Sequence, residues 1–90
     1  MTRPSSWTEY TDQTGWHSQL YYHGEPLPLW VHRKNREPRP KGTPAFWWYV
    51  TQESEGHQDQ ALTDPHGRFL FKDIFEARKL ARNLAHEFYT

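Results

Sequence analysis

The chain has no cysteine. Disulfides and thiolate metal sites are therefore excluded, although the absence says nothing about compartment. Met, Ile and Val are also scarce, at one Met, one Ile and two Val in ninety residues. No run approaches eighteen apolar residues, so no membrane-spanning helix is expected. Met1 to Ser6 is followed by no apolar stretch, so no signal peptide is expected and a cytoplasmic location is the default. Excess charge is missing too. Eleven basic residues balance eleven acidic ones, which argues against a general nucleic-acid coat protein or a membrane-surface binder. Six histidines add positive charge only below about pH 6.5.

Catalytic signatures are equally sparse. There is no G-x-S-x-G, P-loop or H-E-x-x-H pattern. The acids fall in loops or on a helix surface, where nothing rigid would set two carboxylates or a Ser/His/Asp set in register. The chain reads as non-enzymatic, with no catalytic residues and no cofactor. The histidines read as scattered surface residues rather than a metal site. His17 and His23 would lie on one strand face roughly 20 Å apart. Pairing His23 with His32 across a hairpin would supply only two ligands, too few for zinc. His57, near Glu55 and Asp59, is a weak metal candidate in a polar loop. His66 occupies a turn.

Rings are abundant: five Trp, five Tyr and five Phe. A chain this short buries roughly 60–65% of its unfolded surface, and each buried ring removes on the order of 150–250 Å² from water. A core built from rings is the expectation. The densest stretch is Phe46-Trp47-Trp48-Tyr49-Val50. All five residues favour strands and none is charged, so it reads as the central strand of a small sheet.

Residues 1–14 are polar, with Pro4 and two serines, and read as a mobile N-terminal arm in which Trp7 and Tyr10 either pin to the body or contact a partner. Residues 15–90 read as a single α+β domain. Trp16 to His23 is the first expected strand, and Leu27 to His32 the second, joined by the His23-Gly24-Glu25-Pro26 turn. Pro26 and Pro28 cannot donate to a ladder, so the second strand should lie on an edge or pair on one side there. Arg33 to Pro44 reads as an exposed, semi-rigid basic loop stiffened by Pro38, Pro40 and Pro44. Phe46 to Thr51 is the third strand and Gln52 to Gln60 a loop, with a short strand beginning at Ala61. Asp64-Pro65-His66-Gly67 suits a type I turn, before a short fourth strand over Arg68 to Phe71. Asp73 and Glu76 form a capping box for a helix over about 74–88. Its apolar stripe is Ala77, Leu80, Ala81, Leu84 and Phe88. The expected fold class is α+β, a three- or four-stranded antiparallel sheet with one C-terminal helix packed on one face.

One helix covers one sheet face, and both faces are aromatic by alternation. Either Phe46, Trp48 and Val50 face the helix and Trp47 and Tyr49 face away beside Trp30 and Tyr21, or the reverse. An open apolar face of this kind marks an interface unless the arm and loops fold over it. The candidate partner-binding residues are Trp30, Trp47 and Tyr49 on the sheet and Arg33, Lys34, Arg36, Arg39 and Lys41 in the basic loop. A protein partner is favoured, with rings as anchors and arginines at the rim, and with an inhibitory or regulatory outcome. The alternative is a nucleic acid, its bases on the rings and its phosphates on the loop, which carries a net charge of +4 over nine residues. A homodimer through the open face is a further option.

From Asp64 to Ala85 the chain has a turn with Gly67-Arg68, a strand with Phe71 and a capped helix opening Glu76-Ala77. This tail resembles the end of the three-strand-plus-helix modules at the N-termini of phage-type integrases, and covers about a quarter of the chain. The resemblance implies DNA binding through the sheet face. The doubled Trp and the proline-rich loop are not part of that pattern. The short, aromatic-rich chain also resembles small accessory proteins of phages and plasmids, many of which block a host protein.

Overall fold

A computed structural model describes residues 5–13, 15–37, 41–43, 45–54 and 57–89. Five strands and one helix follow one another: β1 (Ser5–Asp12), β2 (Gly15–Tyr22), β3 (Glu25–Asn35), β4 (Phe46–Ser54), β5 (His57–Ala61) and α1 (Ile74–Tyr89). The strands form one antiparallel meander in the order β1-β2-β3-β4-β5. The four long strands make the body of the sheet, and the five-residue β5 extends it. Helix α1 packs against β2, β3 and β4. The class is α+β, an open antiparallel sheet with a C-terminal helix on one face.

Four details differ from the sequence expectation. Ser5–Asp12 is not an arm but an edge strand, in unbroken register with β2 from Ser5↔Tyr22 to Asp12↔Gly15. The basic loop starts later than expected. Arg33, Lys34 and Asn35 are strand residues opposite Trp48, Trp47 and Phe46, because the chain-stiffening prolines begin only at Pro38. His57–Ala61 is a strand where a loop was expected, and the expected strand over Arg68–Phe71 reduces to one bridge. There Trp48 and Phe71 exchange two backbone hydrogen bonds of 2.9 and 2.8 Å. The outer edge of β4 is thus shared. Phe71 takes its first half, and Ala61 and Leu62 its second, with Leu62 N donating to Val50 O at 2.7 Å. Residues 1–4, Pro38, Arg39, Pro40, Pro44, Glu55 and Gly56 lie outside the described residues.

Strand β3 is interior despite Pro26 and Pro28, because the prolines sit where its pairing is one-sided or interrupted. Pairing with β4 begins only at Leu29. On the other side, the β2 register shifts between Gln19 and Tyr21. The side chain of Gln19 fills the gap by donating from Nε2 to Leu27 O at 3.0 Å. The β2–β3 turn is the two-residue loop His23-Gly24, with φ of 53° and 82°. Positive φ at both positions is the hairpin geometry that matches strand twist, and Gly24 takes it without a Cβ clash.

The core is aliphatic at its centre, not aromatic. Leu20, Leu29, Val31 and Val50 from the sheet meet Ala77, Leu80, Ala81 and Ala85 from α1, and among the described residues Phe71 is the one ring in the buried core. Alanines on the helix let its backbone approach the sheet, leaving room only for branched side chains between. Trp7, Trp16 and Trp48 pack around the perimeter. Each fully buried Leu or Val contributes roughly 1.5–3 kcal/mol relative to exposure. The helix begins as its cap predicts, with Glu76 N donating to Asp73 Oδ1 at 2.8 Å. The Asp64 turn also forms: Gly67 N donates to Asp64 O at 2.9 Å, and Gly67 has φ 81°.

Arg78 ties the edge strand to the helix. Its guanidinium lies 5.0 Å from the Trp7 ring centroid and 3.5 Å from Glu9 Oε1. Burial pushes its pKa down, and the Glu9 carboxylate opposes this.

Candidate functional site

Alternation decides which rings the helix covers. Val50 is buried and Trp48 packs against the core, so Trp47 and Tyr49 point to the opposite, open face. Tyr10, His17, His32 and Tyr49 pair successively across β1, β2, β3 and β4. Residues paired this way share a face, so four rings form one row across four strands. The centroids are 5.8 Å apart from Tyr10 to His17, 5.8 Å from His17 to His32 and 5.1 Å from His32 to Tyr49. The two end pairs are stacked, with interplanar angles of 22° and 18°. Trp30 lies beside the row, 5.8 Å from Tyr10 and 5.3 Å from His17.

Polar atoms hold the row in place. His32 Nε2 and Thr51 Oγ1 share a 2.8 Å hydrogen bond, which satisfies the hydroxyl of Thr51, buried on this face. His17 Nε2 lies 3.5 Å from Asp12 Oδ2, an ion pair when the imidazole is protonated. Trp30 Nε1 donates to Glu53 Oε2 at 3.2 Å. Tyr10 and Tyr21 hydroxyls are 3.2 Å apart. That hydrogen bond raises the Tyr10 pKa above its ordinary value, with burial and the Tyr21 charge acting in the same direction. In the two stacked end pairs one π-face of each ring is covered by its neighbour.

Cations gather at one end of this face. Lys34 is opposite Trp47, and the Arg36 guanidinium lies 4.0 Å from the Trp47 ring centroid. Arg33 belongs to the helix-side face. It sits 4.3 Å from the Phe46 centroid and 5.6 Å from the Trp16 centroid. A groove of about 440 Å³ nevertheless runs round the sheet end and is lined by Arg33, Lys34, Phe46 and Tyr49 together. Lys41 is exposed in the turn beyond. At the other end of β3 and β4 stand Glu25 and Glu53.

Of the residues expected to bind a partner, Trp30, Lys34, Trp47 and Tyr49 share the open face, Arg36 packs on Trp47, and Arg33 lies round the edge. Arg39 lies outside the described residues. Tyr10 is expected only to pin the arm to the body or to contact a partner from it, and His17 and His32 are not among the residues expected to bind a partner. Their signal is the β2–β3 register, which places His17, not His23, opposite His32. His23 instead occupies the turn, its ring 4.6 Å from that of Tyr22. Phe69 and Phe75 are also exposed, at 49% and 74%. Phe75 falls outside the apolar helix stripe, which is the sequence sign of its exposure. Among the described residues, no group of three or more His, Asp or Glu is placed to hold a metal ion, and no helix is long and apolar enough to cross a membrane. The side chains of His57 and Asp59, like Glu55, lie outside the described residues.

Compared with known proteins, the chain matches no family model, no curated protein and no solved structure.

Proposed function

We propose that this chain is a non-catalytic binding module that docks a protein partner on the open face of its sheet and acts by occupying that partner's surface. The observation that carries this reading is the row Tyr10–His17–His32–Tyr49, flanked by Trp30, on the face opposite α1. Tyr and Trp anchors with arginine at the rim are the side chains that dominate protein–protein hot spots. The same rings suit base stacking less well. A base needs a free ring face, and each ring of the stacked end pairs has one of its two faces already covered by its neighbour.

Nucleic-acid binding is the second reading, favoured by the basic end of the face with Lys34, Arg36 and Lys41. Salt separates the two, because a phosphate-driven complex weakens steeply as salt rises. The test is capture of the partner by the wild-type chain and by a Trp30→Ala/Tyr49→Ala variant, at low and high salt. The protein reading expects a complex that resists salt and is lost in the variant. A nuclease-sensitive, salt-sensitive complex that survives the double substitution would overturn it.

A further inference from the structure

We propose that the groove between the β3–β4 hairpin and the segment leading into α1 binds a phosphate monoester. This site goes beyond the docking reading and uses none of the four ring-row residues. The groove has a volume of about 490 Å³ and brings together three cations from three parts of the chain: Arg36 from the end of β3, Arg68 after the Asp64 turn, and Lys72 before α1. Trp47 and Thr43 line it, and Glu76 is the one carboxylate on its wall among the described residues.

Both arginines are held ready. Arg36 is fixed at both ends, its guanidinium over the Trp47 ring at 4.0 Å and its backbone N–H donating to Ala45 O at 3.0 Å. Arg68 Nε donates to Asp64 Oδ2 at 3.0 Å, which anchors the side chain and leaves its two terminal nitrogens outside that bond. Neither Arg36 nor Lys72 forms an ion pair among the described residues. Three cations meet two carboxylates, Glu76 on the wall and Asp64 behind Arg68, and leave one net positive charge and three separate donor groups in a small space. A phosphate monoester carries a charge of about −1.5 to −2 near neutral pH, and its oxygens accept the forked donors of arginine. A phosphate monoester offers three terminal oxygens, one for each of the three cations, whereas a phosphodiester or a carboxylate offers two and a single charge.

The test is a tryptophan-fluorescence titration of the full chain at constant ionic strength, with phenyl phosphate, dimethyl phosphate and single-stranded DNA as probes. Saturable binding of phenyl phosphate is expected, with dimethyl phosphate about tenfold weaker or worse. Lys72→Gln should weaken phenyl phosphate on the order of tenfold. Glu76→Gln should tighten it severalfold by removing the like charge. Gln still serves in a capping box, and a gain of affinity cannot arise from misfolding. Equal responses to monoester and diester, no change in either variant, or tighter binding of the DNA than of phenyl phosphate would each overturn the site. A protein partner captured through the ring row would be unaffected by that result.

Discussion

His32 stacks on Tyr49 across β3 and β4, with ring centroids 5.1 Å apart and planes 18° from parallel. His32 also shares a hydrogen bond with Thr51, two residues beyond Tyr49 on β4. The pair is therefore both a brace for the sheet and part of its outward surface. Aromatic pairs of this geometry are worth about 0.5–1.5 kcal/mol beyond area burial. A double-mutant cycle of His32→Ala and Tyr49→Ala, read by chemical denaturation, should give a coupling energy in that range. Strict additivity would mean that the rings are neighbours without being energetically linked.

Leu20 is fully buried where β2 faces the helix. Leu20→Ala should cost about 2–5 kcal/mol, out of a total of roughly 5–13 kcal/mol for a chain of this length. Denaturant midpoints of the two proteins check this. A loss below about 1 kcal/mol would show that the sheet and helix close over the missing side chain.

Arg78 is the link from α1 to the edge strand, through Trp7 and Glu9. Its side chain is only 19% exposed. In Arg78→Ala, amide exchange along β1 should speed up on the order of tenfold, the equivalent of ~1.4 kcal/mol of local stability. The amides of β3 should be unchanged. Uniform acceleration across the sheet would place β1 in the same cooperative unit as the core.

Asp64 gives the turn before α1 a pH signature. Burial pushes its carboxyl up. Hydrogen bonds from Arg68 N, the Arg68 side chain and His66 N, with the Arg68 charge, outweigh this and hold it below its ordinary value. The folded carboxyl thus loses its proton more readily than the unfolded one. Its contribution is complete above the unfolded value of about 4 and is lost as pH falls through the lower folded value. Wild type should be more stable than Asp64→Asn at about pH 5, and the gap should close as the carboxyl protonates. Thermal melts of both proteins across that window test the sign. A gap that stays constant with pH would mean that the ionised carboxylate contributes nothing.

The helix and the Asp64 turn were legible because their signals are local. A cap at Asp73, an i, i+3, i+4 stripe from Ala77 to Leu84, and Asp-Pro-x-Gly need no distant partner to be read. The α+β class followed from that helix and the aromatic alternation of β4. The edge elements were not legible. Ser5–Asp12 carries Trp7 toward the helix and Tyr10 toward the open face, so neither face shows an apolar period. His57–Ala61 is polar up to its last residue and is a strand only through its backbone pairing with β4. Arg33 and Lys34 looked like loop because they are charged, yet β4 pairs with both, and Arg33 lies over the Trp16 and Phe46 rings. The ring row depends on a register shift between Gln19 and Tyr21. Pro26 and Pro28 mark where the ladder is interrupted, but nothing in the local sequence of either strand fixes the size of the shift.

The docking of a protein partner on the open face is tested most directly by photo-cross-linking in an extract of the source cells. Benzoylphenylalanine would replace Tyr49 on the ring row and, as the control, Lys79 on the exposed side of α1. The account predicts a discrete, salt-resistant and nuclease-resistant protein adduct from position 49 and none from position 79. Equal adducts from both positions, or adducts from position 49 that disappear on nuclease treatment, would contradict it.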